Sequence, residues 1–254
     1  MLLVESVDRH FDALHAVNDA SLCVPARAIH GLIGPNGAGK TSLFNILSGF
    51  LAAEAGRVTF AGTSLLELRP RDRIHLGITR TFQNVAVFGQ LSCLDNVIIG
   101  LGRNAVLRAM GASFDHFARG AATRGAQRAA LAALESVGLA AQAYSRAGSL
   151  SLGDQRRLEL ARAIVCHPRL ILLDEPVSGL AESETEDLRE LLLRINAERG
   201  IAMLVVEHNI PFVSRLCRTL SVMGGGRIVA EGKPADVISL PVVQQLYFGE
   251  QATS

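Results

Sequence analysis

Apolar residues are distributed along the chain in two ways. Three short runs, Ile29 to Ile33, Leu170 to Leu173 and Ala202 to Val206, are continuous rather than alternating, and each gives way to turn or polar residues. Such runs predict strands buried on both faces, as in a parallel sheet covered by helices. Between the last two, Leu188, Leu191, Leu192 and Ile195 recur at i, i+3, i+4 and i+7, the apolar face of a helix. Strand, helix and strand in that order predict an α/β fold. From about residue 84 to 149 strand-like runs are scarce apart from Val97-Ile98-Ile99, and alanine-rich stretches such as Ala129 to Ala133 favour helix. This middle segment reads as a mostly helical insertion, with Arg119, Arg124 and Arg128 on a solvated helical face.

The chain has 254 residues, 49% of them hydrophobic and 19% charged, enough to bury a core without disulfides or structural metal. Its formal net charge of +1 argues against an extended nucleic-acid footprint, which needs a cationic excess. No apolar run approaches the roughly 20 residues of a membrane-spanning helix, and Met1-Leu2-Leu3-Val4-Glu5-Ser6 lacks the basic and apolar regions of a secretory signal. A soluble, cytoplasmic protein is expected. Cys23, Cys93, Cys166 and Cys217 form no C-x-x-C pair, and the seven histidines form no metal-binding cluster.

Chemistry enters with Gly34-Pro35-Asn36-Gly37-Ala38-Gly39-Lys40-Thr41, which fits the phosphate-loop pattern G-x-x-x-x-G-K-[ST] in full. Glycines let backbone N–H groups turn inward around phosphate oxygens. Ser42 to Leu47 reads as a helix whose N-terminal partial charge favours the anion. Lys40 supplies a full positive charge near the β and γ phosphates, and Thr41 offers a hydroxyl to magnesium. The strand before the loop and the helix after it are the context this motif requires, so nucleotide binding is expected.

Leu170-Ile171-Leu172-Leu173-Asp174-Glu175 places two carboxylates where a buried strand emerges, the edge at which open α/β sheets bind ligands. Asp174 suits a magnesium ion, which takes few carboxylates beside phosphate and water. Glu175, one residue on, points differently and is the candidate general base for an attacking water.

With these residues in place the sequence resembles the nucleotide-binding subunit of an ABC transporter over nearly its whole length. Leu150-Ser151-Leu152-Gly153-Asp154-Gln155 stands where that family has its signature motif, Thr81-Phe82-Gln83-Asn84 looks like its Q-loop, and Ser178-Gly179-Leu180-Ala181 like its D-loop. Val206-Glu207-His208-Asn209 looks like the switch-histidine segment, and Phe11 is placed like the aromatic residue that stacks on adenine. The resemblance implies a P-loop NTPase parallel-sheet core with an antiparallel β portion and a mostly helical inserted subdomain. It groups 1–83 and 151–254 as the nucleotide-binding core of a single domain and 84–150 as the helical subdomain.

It further implies ATP and Mg2+ as cofactors, held by Phe11, Gly34 to Ser42, Asp174 and Gln83, with Ser151 and the Gly153 N–H meeting the γ-phosphate bound by a second copy. Glu175, His208 and Gln83 are the implied catalytic residues. Implied partners are transmembrane permease subunits, a second ATP-binding subunit, identical or a sister chain, and a substrate-binding protein, with the chain peripheral on the cytoplasmic face of the inner membrane. Arg80-Thr81-Phe82-Gln83-Asn84, Val205 to Asn209 and Leu246-Tyr247-Phe248-Gly249-Glu250 look like the branch that energises uptake of branched-chain amino acids. The lipopolysaccharide-exporting ATPase is similar in the same regions, and a non-transport ABC ATPase is a further alternative. The signature departs from the family's usual pattern at Leu152 and Asp154, and the D-loop at Ala181. The bulk of Leu152 is tolerable if it points away from the nucleotide.

Overall fold

The computed structural model describes residues 1–81, 86–101 and 116–248, with side chains omitted for 116–123 and 248. The described chain runs β1 (Leu2–Phe11), β2 (Leu14–Val24), β3 (Ile29–Ile33), α1 (Lys40–Ser48), β4 (Ala55–Phe60), β5 (Thr63–Ser64), α2 (Pro70–His75) and β6 (Ile78–Arg80). It continues through α3 (Cys93–Gly100), α4 (His116–Ser136), two short 3-10 turns, α5 (Leu152–Ile164), β7 (Leu170–Asp174) and α6 (Glu182–Arg199). The last elements are β8 (Ala202–Val206), α7 (Ile210–Leu216), β9 (Thr219–Gly224), β10 (Arg227–Gly232), α8 (Pro234–Ile238) and α9 (Pro241–Phe248).

The three continuous apolar runs are central strands of one six-stranded sheet, ordered β10-β9-β3-β8-β7-β6. β9, β3, β8, β7 and β6 are mutually parallel, and β10 closes the edge antiparallel to β9. Every residue of β3, β7 and β8 is buried, which is why those runs do not alternate. A second, four-stranded sheet, β2-β1-β4-β5, is antiparallel throughout. Between the sheets and α1 lies a core formed by Leu2, Val4 and Val17 from one side, Leu32, Leu172 and Leu204 from the other, and Leu43, Phe44 and Leu47 from α1. The fold is thus α/β, with a parallel core and an antiparallel portion. The helix predicted from Leu188 to Ile195 is α6, with all four of its periodic leucine and isoleucine positions buried.

The chain divides into two compact units. One comprises Met1–Arg80, Arg169–Pro176 and the described residues from Leu192 onward, and contains both sheets. The other comprises the described residues of Thr81–Pro168 together with Val177–Leu191. Residues 152–164, grouped with the nucleotide-binding core in the sequence reading, pack as α5 with α3 and α4 in this second unit. Val97-Ile98-Ile99, strand-like in sequence, is helical. Ser92 caps α3 by accepting the Asp95 N–H at 3.0 Å, and Asp95 sits at the positive end of the helix dipole. The fully buried Asn96 side chain then holds the preceding backbone, accepting from the Phe88 N–H at 2.8 Å and donating to the Phe88 carbonyl at 3.1 Å. Capping and a buried amide override β-propensity here. Arg124 and Arg128 are exposed on α4, and the side chain of Arg119 lies outside the described residues.

Candidate active site

After β3 the chain turns through Gly34 to Gly39 into α1. Two of its glycines are required by their surroundings. A Cβ on Gly34 would sit 2.2 Å from the Met223 carbonyl oxygen, and one on Gly39, whose φ is 99°, would sit 2.1 Å from that of Ala16. Lys40 then opens the helix, and its Nζ donates to the carbonyl oxygens of Gly34 at 2.7 Å and Pro35 at 2.8 Å. It is more than nine-tenths buried. Burial lowers its pKa, while the negative charges of Glu175 and Asp174 push it back up. The ammonium is thereby folded across the loop, and among the described residues no carboxylate bonds it directly.

The start of α1 completes the cradle. Its cap residue is Gly39, which supplies no side-chain acceptor, and no acidic residue lies in its first turn. The first N–H groups of a helix have no partners within it, and its dipole is positive there. An external anion answers both, so this loop fits a polyphosphate on the chemistry of its donors. Thr41 is exposed and Ser42 half-buried on the same first turn.

Strand order brings the remaining groups of this unit to one sheet edge. β8 lies between β3 and β7, and all three point the same way, so Gly34, Asp174, Glu175 and His208 leave the sheet at its C-terminal side. Asp174 ends β7 and is buried. Its Oδ2 accepts from Arg80 Nη2 at 2.7 Å, and Arg80 Nη1 also donates to Asn45 Oδ1 and Ser48 Oγ, each at 2.7 Å. Carboxylate and hydroxyl oxygens, few in number, are the donors magnesium takes, and Asp174 and Thr41 are of that kind. Glu175 follows at φ 47°, a left-handed conformation uncommon outside glycine, with its N–H fixed by the Val206 carbonyl at 2.9 Å. Its Oε1 lies 3.9 Å from the His208 ring, whereas the Asp174 carboxylate is held by Arg80.

The His208 ring is mostly exposed, with Nδ1 3.9 Å from Glu175 Oε1 and 3.9 Å from Glu207 Oε2, beyond hydrogen-bond range of both. Glu207 is fully buried and accepts the N–H groups of His208 at 3.0 Å and Asn209 at 3.3 Å. It fixes the backbone that carries His208 ahead of α7. Phe11 ends β1 with its ring exposed and the Arg9 guanidinium 5.0 Å from its centroid, so one ring face already has a cation–π partner.

The other unit holds the remaining described candidates. Ser151 caps α5, accepting the Asp154 N–H at 3.1 Å. Gly153 lies in the first turn of that helix, in close contact with the Glu184 side chain. The Leu152 side chain rests on the loop before α6, its Cδ2 being 3.2 Å from where a Cβ of Gly179 would stand. Gln83, with Phe82 and Asn84, lies outside the described residues. Arg80 and Glu207 entered the sequence reading only as members of longer segments. The contact of Arg80 joins residues 94 positions apart, which no local pattern encodes. Glu207 stands two residues before the Asn209 cap, outside the capping-box position, so no local pattern marked it either. Among the described residues no group of three histidines, cysteines or carboxylates could hold a metal ion, and no helix is long and apolar enough to cross a membrane.

Residues 17–178 match the profile of the family described as ABC transporter. The chain is 34% identical over 250 residues to BraF of Pseudomonas aeruginosa, a high-affinity branched-chain amino acid transport ATP-binding protein, covering 98% of each chain. It is 36% identical over 254 residues to LivG of Salmonella typhimurium, which carries the same description, again over 98% of each. Among solved structures, a nucleotide-free ATP-binding cassette from an ABC transporter superposes with a TM-score of 0.84 at 30% identity, over 97% of this chain and 98% of that one. The ADP conformation of an ATP-binding cassette of an ABC transporter superposes with a TM-score of 0.85 at 30% identity, over 98% of each.

Proposed function

Because this chain belongs to the ABC transporter family, as an ATP-binding subunit with ATPase activity, we propose that it works in a pair of cassettes that energises uptake of branched-chain amino acids or similar small polar solutes. The observation that carries the reading is the sheet edge of the first unit. There an uncapped helix start and a buried lysine folded back on its loop share the C-terminal side of the sheet with Asp174, Glu175 and His208. The likeness to BraF and LivG over nearly the whole chain supports the solute class.

In this reading the backbone of Gly34 to Gly39 and the first turn of α1, with Lys40, Thr41 and Ser42, bind the phosphates of ATP, and Phe11 stacks its open face on the base. Thr41, Asp174 and Gln83 hold Mg2+, which when bound offsets phosphate charge. Ser151 and the Gly153 N–H of the second cassette, identical or a sister chain, complete the pocket. Nucleotide shared between two chains binds the closed pair better than the open one and so shifts the population towards closure. Glu175, held by its strained backbone, takes a proton from the attacking water, while His208 and Gln83 orient that water. Reopening after hydrolysis drives permease subunits at the cytoplasmic face of the membrane, with a substrate-binding protein delivering the solute.

Two variants separate these roles. Lys40→Ala weakens nucleotide binding itself, read by equilibrium titration. Glu175→Gln leaves binding intact, abolishes turnover and accumulates an ATP-held pair on size-exclusion chromatography. Normal phosphate release by Glu175→Gln would remove Glu175 as the base. Solute uptake by vesicles carrying the assembled system tests the transport assignment.

A further inference from the structure

Helix α6 starts on an alanine. The Thr185 N–H bonds back to the Ala181 carbonyl at 2.9 Å, which makes Ala181 the cap residue, and its methyl group cannot accept a hydrogen bond. Glu184, at the third helical position, partly makes up for this. Its Oε2 accepts the Ala181 N–H at 3.0 Å, the backward half of a capping box.

The same carboxylate does something a cap does not require. A Cβ built on Gly153 would lie 2.8 Å from Glu184 Oε1, 3.2 Å from the carboxyl carbon and 3.6 Å from Cγ. The glutamate side chain therefore lies flat against the first turn of α5, on a backbone that only glycine leaves bare. One residue away the contact is reciprocated. Leu152 of α5 reaches out to Gly179 of the loop before α6, at 3.2 Å from where a Cβ would be. Two side chains, each seated on the other segment's glycine, interlock residues 151–153 with residues 178–184. All of these residues lie in the same compact unit.

We propose that Glu184 is a positioning residue for ATP hydrolysis. It ties the loop 178–181 to the start of α5, so that Ser151 and the N–H groups of that helix are presented to the partner-bound nucleotide as one block with the loop. The inference rests on the paired-cassette reading above. Leu152 belongs to the same device: its bulk is used on Gly179. The acceptor oxygen, rather than the charge, holds the loop, so a glutamine at this position retains the function.

The test uses the full chain in complex with the subunits that co-purify with it, and reads kcat and KM for phosphate release alongside nucleotide affinity of the chain alone. Glu184→Ala is expected to lower kcat by about tenfold, the scale of one lost hydrogen bond to a charged acceptor. Nucleotide affinity of the chain alone stays within about twofold, because the phosphate loop makes no use of Glu184. Glu184→Gln is expected to restore kcat. Gly153→Ala reads the contact from the other side: in the Glu184→Ala background its penalty shrinks, since the atoms it strikes are gone.

Adding Ala181→Ser to Glu184→Ala restores an acceptor at the cap and the melting temperature, but not kcat. If that cap restored kcat as well, Glu184 would be a structural cap only. Native kcat in Glu184→Ala, equal losses in Glu184→Ala and Glu184→Gln, or strictly additive Gly153 and Glu184 effects each overturn the proposal. Should the otherwise native complex fail to form an ATP-held pair as Glu175→Gln, the paired-cassette reading fails instead, independently of any Glu184 variant.

Discussion

Arg80 offers the sharpest energetic test of the candidate site. Its side chain is 10% exposed and that of Asp174 8%, so the 2.7 Å pair between them is effectively out of water. The guanidinium also bonds Asn45 Oδ1 and Ser48 Oγ and lies over the Phe44 ring, its carbon 5.3 Å from the centroid. Arg80→Met keeps most of the volume and the apolar contact with Phe44 but leaves the Asp174 carboxylate buried without this partner. Breaking one side of a buried ion pair costs about 3–5 kcal/mol. For a chain of this length a lost kcal/mol lowers the melting temperature by roughly 2–4 °C, so a drop of about 6–20 °C is expected. Calorimetry or urea unfolding measures it.

The double variant Arg80→Met/Asp174→Asn removes the stranded charge and is expected to cost less than the sum of its parts, by 1 kcal/mol or more on the scale of coupled neighbours. If Asp174 also serves the metal, magnesium with ADP raises the melting temperature of Arg80→Met more than that of the native protein, because the cation supplies the missing counter-charge. A loss under about 1 kcal/mol in Arg80→Met, or additivity in the double variant, would show that the pair is not the buried anchor its geometry describes.

Gly39→Ala forces a Cβ to 2.1 Å from the Ala16 carbonyl at a φ of 99° and is expected to abolish nucleotide binding while destabilising the fold by at least about 2 kcal/mol; binding and melting curves check both. His30 is buried in β3, its Nε2 2.8 Å from Ser221 Oγ, and that hydroxyl donates onward to Glu231 Oε2 at 2.6 Å. The ring is therefore the Nε2–H tautomer, and burial holds its pKa below the usual 6.5 despite the opposing pull of Glu231. The unfolded chain then takes up the proton first, so stability is lost as pH falls below about 6.5, by up to about 1.4 kcal/mol per unit until the folded-state pKa is reached. Urea midpoints at pH 7.5 and 5.5 should fall further for the native protein than for His30→Gln, and equal falls would exclude this contribution.

What the sequence made legible follows from how local each signal is. The strands β3, β7 and β8 are buried on both faces, so their apolar positions do not alternate with solvent-facing ones, His30 being the one polar side chain inside β3, and the phosphate loop is a contiguous eight-residue pattern. The antiparallel sheet was expected only through family resemblance. β1 shows why: its register with β2 slips between Val4 and Val7, between Val7 and Arg9, and between Arg9 and His10, with Ser6 at φ 46°. Each slip resets which positions face inward, so the alternation begun at Leu2 and Val4 does not carry along the strand. Val97 to Ile99 misled for a complementary reason, since the capping residue and buried amide that make them helical, Ser92 and Asn96, are polar and sit outside any hydrophobic pattern. The acidic pair lies between these extremes. Asp174 and Glu175 were legible as carboxylates at a strand end, yet what distinguishes them is tertiary: a guanidinium from β6 fixes the first, and a carbonyl from β8 fixes the backbone of the second. Two adjacent residues of like charge thus acquire different surroundings from different strands, and the order of those strands in the sheet is what sets the two apart, as the separate roles proposed for them require.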